Sequence, residues 1–244
     1  MSDDFSLPRD ISIGELSAQV VSVSHRQSFS IYHLYAARHA AAQAAELEVQ
    51  PQRKGLDVLH RSYVMAAVVE SASFLEASIN ELFGNAADGV RHSMTGLPDH
   101  EVRALAAVWH ISGSGLQGRV LDKYDSALAV RGQPAFVRGE DPYQSAKLLI
   151  ELRNYLVHYK VHSTSLDEEH ELSAKLKNRF DSNTRREDPN HPWFPDQALG
   201  AGCARWAWES ATALTSQFEA VMGVALAYST QPEDFWPDGS GGLL

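Results

Sequence analysis

Cysteine and basic residues are scarce in this sequence. Its single cysteine, Cys203, excludes an internal disulfide framework and the zinc modules that are built from several cysteines. The chain has 31 Asp and Glu residues but only 21 Lys and Arg residues, so its formal net charge is −10. This charge argues against a protein that coats nucleic acid non-specifically, because binding to phosphates needs a basic surface. Contact with nucleic acid would therefore require a local basic patch.

Long apolar runs are also lacking. Residues 1–5 are acidic and contain no hydrophobic signal core, and no segment approaches the length that a membrane-spanning helix needs. We therefore expect a cytoplasmic protein without membrane contact. The 244 residues show no internal repeat, and they suffice for a helical domain with a well-buried core.

Helical periodicity predominates along the chain and predicts an all-α fold. The first helix is expected between Ser12, which forms a capping box with Glu15, and about Gln50. Residues 20–31 alternate like a strand, but we favour a helix with a break because a lone strand has no obvious partner. Later helices are predicted at about 56–83 with Gly84-Asn85 as a stop, from near 99, at 116–130, at 141–162 and at 201–228.

These helices divide the chain into three parts. Residues 1–55 form a predicted N-terminal helical extension, residues 56–230 a helical bundle, and residues 231–244 a mobile tail rich in proline and glycine. Within the bundle, residues 163–200 form a loop-rich insertion with the densest basic cluster, Lys175, Lys177, Arg179, Arg185 and Arg186. This cluster is either a solvated surface or a loop that faces phosphate.

The helix predicted at 141–162 contains an unusual set of polar residues. Asp141 as an N-cap and Pro142 at the first position mark its start. At about 100° per residue, one stripe of this helix carries Lys147, Glu151, Asn154, His158 and His162. A second stripe carries Arg153 and Lys160, and Arg153 lies about 140° around from His158.

Two apolar surfaces separate these stripes. The broader surface, which we expect to face the core, contains Leu148, Leu152, Tyr155, Leu156 and Tyr159. A narrow strip between Arg153 and His158 contains Ile150, Val157 and Val161. A second copy of the helix packed on this strip would bring two arginines and two histidines together across a twofold axis. The pattern therefore predicts a homodimer through the 141–162 helix.

A polar face on the helix at 56–83 is a candidate partner for these side chains. Ser73, Glu76 and Asn80 share one side of this otherwise apolar helix. A carboxylate on that side either pairs with Arg153, orients His158 or is simply solvated. The supporting residues that we predict are Glu76, Asn80, Glu151 and Tyr159.

Arg153 and His158, five residues apart in an apolar helix with Asn154 directly after the arginine, resemble the R-x4-6-H signature of the HEPN superfamily. This superfamily contains helical ribonucleases and nucleotide-binding proteins. The stretch Phe74–Leu82 looks like the early helix of many members, and the resemblance covers about residues 56–162. It implies an up-and-down helical bundle, here with an additional N-terminal helix and the loop-rich insertion.

In that superfamily the motif helices of two subunits meet and form a composite site. The resemblance therefore implies that Arg153 and His158 are the catalytic pair and that Asn154 assists them. The partners that it implies are RNA and a protein inhibitor or antitoxin. Some toxin members have a tyrosine two residues after the histidine, where this sequence has Lys160 and places its tyrosine at Tyr159. We therefore do not expect regulation by modification of that tyrosine.

Cleavage of RNA needs few protein groups, because the 2′-hydroxyl of the RNA is the nucleophile. A neutral imidazole can accept the 2′ proton, and its protonated form can serve the leaving oxygen. A guanidinium stabilises the negative charge on the phosphate, and no metal or other cofactor is required. We therefore predict a metal-independent endoribonuclease of toxin or defence type, with the substrate-binding residues Lys160, Arg185 and Arg186.

Two other interpretations are open at this point. In the first, Arg153 and His158 are interface residues that Glu76 or Glu151 satisfies, and the protein is a non-catalytic dimeric interaction or nucleotide-binding module. In the second, His158 and His162, four residues apart, share a metal ion. Glu151 lies too far along the helix to complete a compact set of ligands for that ion.

Overall fold

The computed structural model describes residues 26–51, 56–111, 118–159, 169–186 and 192–231. Regular structure in these ranges is helical and contains no strand, which confirms the predicted all-α class. The main helices are α1 (Phe29–Glu48), α2 (Leu56–Ala87), α3 (Asp99–Ile111), α4 (Val120–Val130), α5 (Tyr143–Val157), α6 (Glu171–Leu176) and α7 (Ala201–Met222). Within the described ranges, no helix has both the length and the apolar character to cross a membrane.

The long helix α2 is the centre of the core, because α1, α3, α4, α5 and α7 all pack against it. Its side chains Phe74, Leu75 and Phe83 are fully buried. Helix α1 contributes Leu34 and Ala44, also fully buried, to the same hydrophobic cluster. The helix predicted as an N-terminal extension is therefore built into the bundle.

Several helix ends differ from the predicted positions. Helix α2 does not stop at Gly84-Asn85 as predicted but continues to Ala87. The glycine in the left-handed conformation that commonly follows a helix end is Gly89, with φ of 71°. Helix α7 ends at Met222 rather than near residue 228, because Gly223 adopts a left-handed conformation with φ of 67°. Residues 26–28 are not helical before α1 begins at Phe29. The predicted capping box at Ser12 and the residues up to 25 lie outside the described residues.

The insertion predicted as loop-rich contains a short helix. Helix α6 buries Leu172 and Leu176, whose exposed fractions are 3% and 0%. Further along, the chain passes close to the start of α7, where a Cβ on Gly202 would lie 2.4 Å from the carbonyl oxygen of Asp181. Glycine is therefore required at this crossing, and the described part of the insertion packs on the bundle. Residues 160–168 and 187–191 of the insertion region, and the predicted tail after 231, lie outside the described ranges.

One nearly buried carboxylate joins four parts of the fold. The side chain of Glu48, the last residue of α1, is 9% exposed. Its Oε2 atom lies 3.0 Å from Nε2 of His60 in α2 and accepts a hydrogen bond of 2.6 Å from the backbone N–H of Ala201 in α7. Its Oε1 atom accepts a bond of 3.1 Å from the backbone N–H of Thr184. Burial raises the pKa of Glu48, but these hydrogen bonds outweigh it and lower the pKa from its ordinary value.

Replacing Glu48 with Gln should destabilise the fold by about 1–3 kcal/mol at neutral pH, because the charged acceptor of these bonds is lost. The folded pKa of Glu48 is below its unfolded value near 4.5, so this stabilisation is complete above pH 4.5 and is lost as the pH falls through the folded pKa. Urea unfolding at several pH values should show the difference between parent and variant shrinking in acid.

The matched control is Glu46→Gln, which changes an exposed carboxylate on the same helix. This variant should unfold like the parent at every pH. Equal effects of the two substitutions would contradict the role assigned to Glu48.

Candidate functional site

Helix α5 begins at Tyr143, one residue after the predicted first position, and it ends earlier than predicted. The Asp141 carboxylate accepts hydrogen bonds from the backbone N–H and the hydroxyl of Ser145, at 3.0 and 2.6 Å. These bonds and the Arg179 guanidinium lower the pKa of Asp141 from its ordinary value. The last helical residue is Val157, with His158 as the C-cap, so the prediction that the helix reaches residue 162 is wrong. The stripe of polar residues therefore ends at His158.

Burial separates the two predicted apolar surfaces of α5 only in part, because Ile150 of the narrow strip is partly buried and packs against the hydrophobic core, as Tyr155 and Leu156 do. Leu148 and Leu152 are 2% and 0% exposed and face the core. Tyr159, predicted to join them, is 53% exposed because it follows the end of the helix. On the narrow strip, Val157 is 53% exposed and Ile150 is partly buried, whereas Val161 lies outside the described residues.

Arg153 pairs with the polar face of α2, which is one of the alternatives that the sequence left open. Its Nη2 atom lies 3.5 Å from Oε2 of Glu76, and the two side chains are 22% and 43% exposed. The Nε atom of Arg153 is buried and has no hydrogen-bond partner among the residues that the structure describes. The carboxylate thus balances the arginine charge without satisfying all of its donors.

Lys123 of α4 belongs to the same group of side chains, although the sequence did not indicate it as a site residue. Its Nζ atom donates a hydrogen bond of 2.9 Å to Oδ1 of Asn80 and lies 3.9 Å from Oε1 of Glu76, while its side chain is only 6% exposed. Its position in the helix could have indicated its burial, because Lys123 lies three residues after Val120 on the buried side of α4. Together these side chains form the Glu76 cluster, which consists of Glu76, Asn80, Lys123 and Arg153.

His158 is exposed at the end of α5, and its backbone N–H donates a bond of 2.9 Å to the carbonyl oxygen of Asn154. Its imidazole has no hydrogen bond or ion pair with the part of the chain that the structure describes. The side chain of Asn154 is also exposed. An exposed imidazole without a partner among the described residues is available to an external ligand. Lys160, predicted to bind substrate, lies outside the described residues.

Aromatic packing holds the end of α5 that carries His158. The Tyr155 ring packs edge-on against the rings of His170 and Phe194, with centroids 4.9 and 5.1 Å apart. It also contacts Tyr159, at 5.7 Å. Burial raises the pKa of Tyr155, so this phenol stays neutral at physiological pH. The insertion, which supplies His170 and Phe194, therefore supports the motif helix.

Glu151 engages two lysines. Its carboxylate lies 3.7 Å from Nζ of Lys147 on the same helix and accepts a hydrogen bond of 3.0 Å from Nζ of Lys175. The Lys175 contact joins α5 to α6. The ion pairs of Glu151 thus support the position of the insertion, and the carboxylate that pairs with Arg153 is Glu76.

The two arginines predicted to bind substrate differ in their surroundings. Arg185 is 6% exposed and donates from Nη1 to the carbonyl oxygens of Leu47 and Gln50, at 3.2 and 2.7 Å. It therefore satisfies carbonyl groups at the end of α1, and we do not retain it as a substrate-binding residue. Arg186 is 45% exposed and pairs with Asp57 at 3.3 Å, which leaves part of its surface open to a ligand.

Replacing Arg185 with Met should lower the free energy of unfolding by about 1.5–3 kcal/mol, because a charged donor to two carbonyl groups is lost. Arg186→Met is the matched control and should cost at most about 1 kcal/mol, as expected for an exposed ion pair. Urea unfolding of both variants measures the difference. A larger loss for Arg186→Met than for Arg185→Met would contradict these structural roles.

The described residues contain no group of three or more His, Cys, Asp or Glu side chains that is arranged to hold a metal ion. His162, the second histidine of the metal alternative, lies outside the described ranges. No family model, no curated protein and no solved structure matches this chain. A functional interpretation therefore depends on the motif and on the geometry around it.

Proposed function

We propose that this protein is a metal-independent endoribonuclease of toxin or defence type, related to the HEPN superfamily, that acts as a homodimer. The observation that supports this proposal best is the arrangement at the end of α5. Arg153 and His158 both reach the surface, and the exposed side chain of Val157 lies on the strip between them.

The proposed reaction uses the 2′-hydroxyl of the RNA as its nucleophile. His158 in its neutral form accepts the 2′ proton, and its protonated form donates to the leaving 5′ oxygen. Arg153 stabilises the additional negative charge on the phosphate in the transition state. Asn154 is exposed one turn before His158 and donates a hydrogen bond to a phosphate oxygen in this mechanism.

A dimer is part of this proposal because one copy of α5 separates its two functional groups. In an ideal helix, positions 153 and 158 lie about 7.5 Å apart along the axis and about 140° apart around it, and His158 directly follows the last helical residue. Two copies packed through Val157 and Ile150 would bring the arginine of one protomer towards the histidine of the other. The exposed half of the Val157 side chain is the apolar surface available for this contact.

The second candidate is a non-catalytic dimeric interaction or nucleotide-binding module. Its specific support is the pairing of Arg153 with Glu76, because a partnered arginine is also what a purely structural role would require. The two candidates share the dimer and differ in whether RNA is cleaved. An RNA cleavage assay therefore distinguishes the endoribonuclease from the non-catalytic module.

Replacing His158 with Ala should lower the rate of RNA cleavage by about 10²–10⁴-fold, the usual effect of removing a general acid–base group. Stability should not change, because the imidazole is exposed. The measurement is cleavage of a mixed RNA pool in the presence of EDTA. His100→Ala, which removes an exposed histidine of α3, is the matched control and should cleave like the parent.

Three outcomes of this assay have different meanings. Cleavage with and without EDTA that depends on His158 supports the proposed enzyme. Cleavage only with added metal contradicts the proposed mechanism. Absence of cleavage by the dimeric parent protein would favour the non-catalytic module.

Replacing Val157 with Asp should weaken the dimer, because a charge would be buried at the proposed contact. Cleavage should fall with it and should recover at high protein concentration, where mass action restores the dimer. Sedimentation measures the oligomeric state, and the rate per protomer is followed over the same concentrations. Val137→Asp is the control, since Val137 is similarly exposed at 59% but lies outside α5.

A monomeric parent with full activity would remove the composite site from the proposal. A Val157→Asp variant that loses activity but remains dimeric would show a direct effect on His158 instead of an effect on assembly.

A further inference from the structure

The Glu76 carboxylate forms ion pairs with two cations but is within short hydrogen-bond distance of neither. Its Oε2 atom is 3.5 Å from Nη2 of Arg153, and its Oε1 atom is 3.9 Å from Nζ of Lys123. Charge-assisted hydrogen bonds between nitrogen and carboxylate are typically about 2.7–2.9 Å long. The carboxylate therefore balances both charges without a short bond to either of them.

The two cations differ in their access to solvent. Arg153 is 22% exposed, whereas the Lys123 side chain is 6% exposed and is anchored by its bond of 2.9 Å to Asn80. An external anion can therefore approach Arg153 but not Lys123. Arg153 also has a buried Nε–H without an acceptor in the described part of the chain, so those residues do not satisfy all of its donors.

We propose that Lys123 is a positioning residue that receives the Glu76 carboxylate when a phosphodiester of RNA binds to Arg153. Glu76 occupies Arg153 in the free protein and moves to Lys123 in the complex. The inference deepens the proposed function and rests on its assignment of Arg153 to the substrate phosphate. Lys123 itself does not touch the substrate, and it acts through Glu76.

Charge balance explains why the second cation is needed. In the free protein, Arg153 and Lys123 carry two positive charges and Glu76 one negative charge. A bound phosphodiester adds one negative charge, so the occupied cluster is neutral. Without Lys123, the phosphate and the displaced carboxylate would share one arginine, and their mutual repulsion would weaken binding.

The required movement is small. Closing the distance between Glu76 Oε1 and Lys123 Nζ from 3.9 Å to hydrogen-bond length is a shift of about 1 Å. Glu76 is 43% exposed, so its side chain has room to change rotamer. Asn80 lies one turn after Glu76 on α2 and holds the lysine in reach.

A double-mutant cycle with Glu76→Gln and Lys123→Met tests this exchange. The probe is a fluorescein-labelled 2′-O-methyl RNA, which lacks the attacking hydroxyl and cannot be cleaved by the proposed reaction. Fluorescence anisotropy gives its Kd for the parent, both single variants and the double variant, and thermal unfolding confirms that each is folded. Lys147→Met, which removes an exposed lysine of α5, is the matched control in both backgrounds.

The expected result is that Lys123→Met raises Kd about tenfold when Glu76 is present and less than about twofold in the Glu76→Gln background. Glu76→Gln alone should lower Kd by about twofold to fivefold, because the competing carboxylate is gone. A merely structural lysine, or one that contacts phosphate directly, would raise Kd equally in both backgrounds. That additive result would overturn the inference.

One further variant, Lys123→Arg, and the Glu76→Gln variant of the cycle cover a Lys123→Met protein that does not fold. Lys123→Arg keeps the charge and should bind within about twofold of the parent, and Glu76→Gln should still bind more tightly than the parent. Weaker or unchanged binding by Glu76→Gln would contradict the exchange.

The binding cycle tests the role of Lys123 and the cleavage assay tests the endoribonuclease, so either proposal can be contradicted without the other. Non-additive binding without cleavage of natural RNA would support the role of Lys123 and contradict the endoribonuclease. Cleavage combined with an additive cycle would contradict only the role of Lys123. No binding of the probe by either the parent or Glu76→Gln would overturn the exchange.

Discussion

Burial of one face of α5 fixes the rotation of this helix, and the candidate site depends on that rotation. Leu148, Leu149 and Leu152 are at most 2% exposed, and loss of such a side chain from a core typically costs about 2–5 kcal/mol. Turning the helix to bury Val157 would bring at least one of these leucines to the surface. The exposure of Val157 therefore follows from the apolar pattern of α5 itself.

The charges around α5 follow from the way in which three helices meet. Arg153 of α5 and Lys123 of α4 both approach the same side of α2, and two cations in a partly buried space repel each other. Glu76 lies between them and offsets this repulsion. The carboxylate thus has a structural reason for its position, and the same position lets it control the charge that Arg153 presents to solvent.

The sequence predicts those features of this arrangement that depend on residues close to each other in the chain. The start of α5 was predictable because Asp141 and Pro142 are cap signals within one turn of it, and the pairing of Arg153 with the polar face of α2 was among the alternatives. The end of α5 was not, since residues 158–162 contain neither glycine nor proline. An apolar helical pattern alone does not show where the last hydrogen bond forms.

Two basic residues show why the remaining features could not be predicted. The charge of Lys123 predicts an exposed surface residue, whereas its position among the apolar residues of α4 predicts a buried one. The structure shows that position decides, since the side chain is 6% exposed. Arg185 belongs to the densest basic cluster of the sequence, but the acceptors of its guanidinium lie more than a hundred residues earlier, at Leu47, Gln50 and Asp57. No local pattern contains that information, because such a contact depends on how distant elements pack.

If this surface binds RNA as proposed, the net charge of −10 and the Glu76 cluster together constrain the kind of anion that it would accept. An open basic patch attracts any polyanion, and its affinity falls steeply with salt. Here each Arg153 is already balanced by a carboxylate, so an incoming phosphate gains only the difference between its own contacts with the arginine and those of Glu76. A phosphate held only by charge gains little from this exchange, whereas one that also reaches Asn154 and His158 gains further contacts. Under the proposed function, selectivity for a well-placed phosphodiester would therefore follow from the carboxylate that pairs with the arginine.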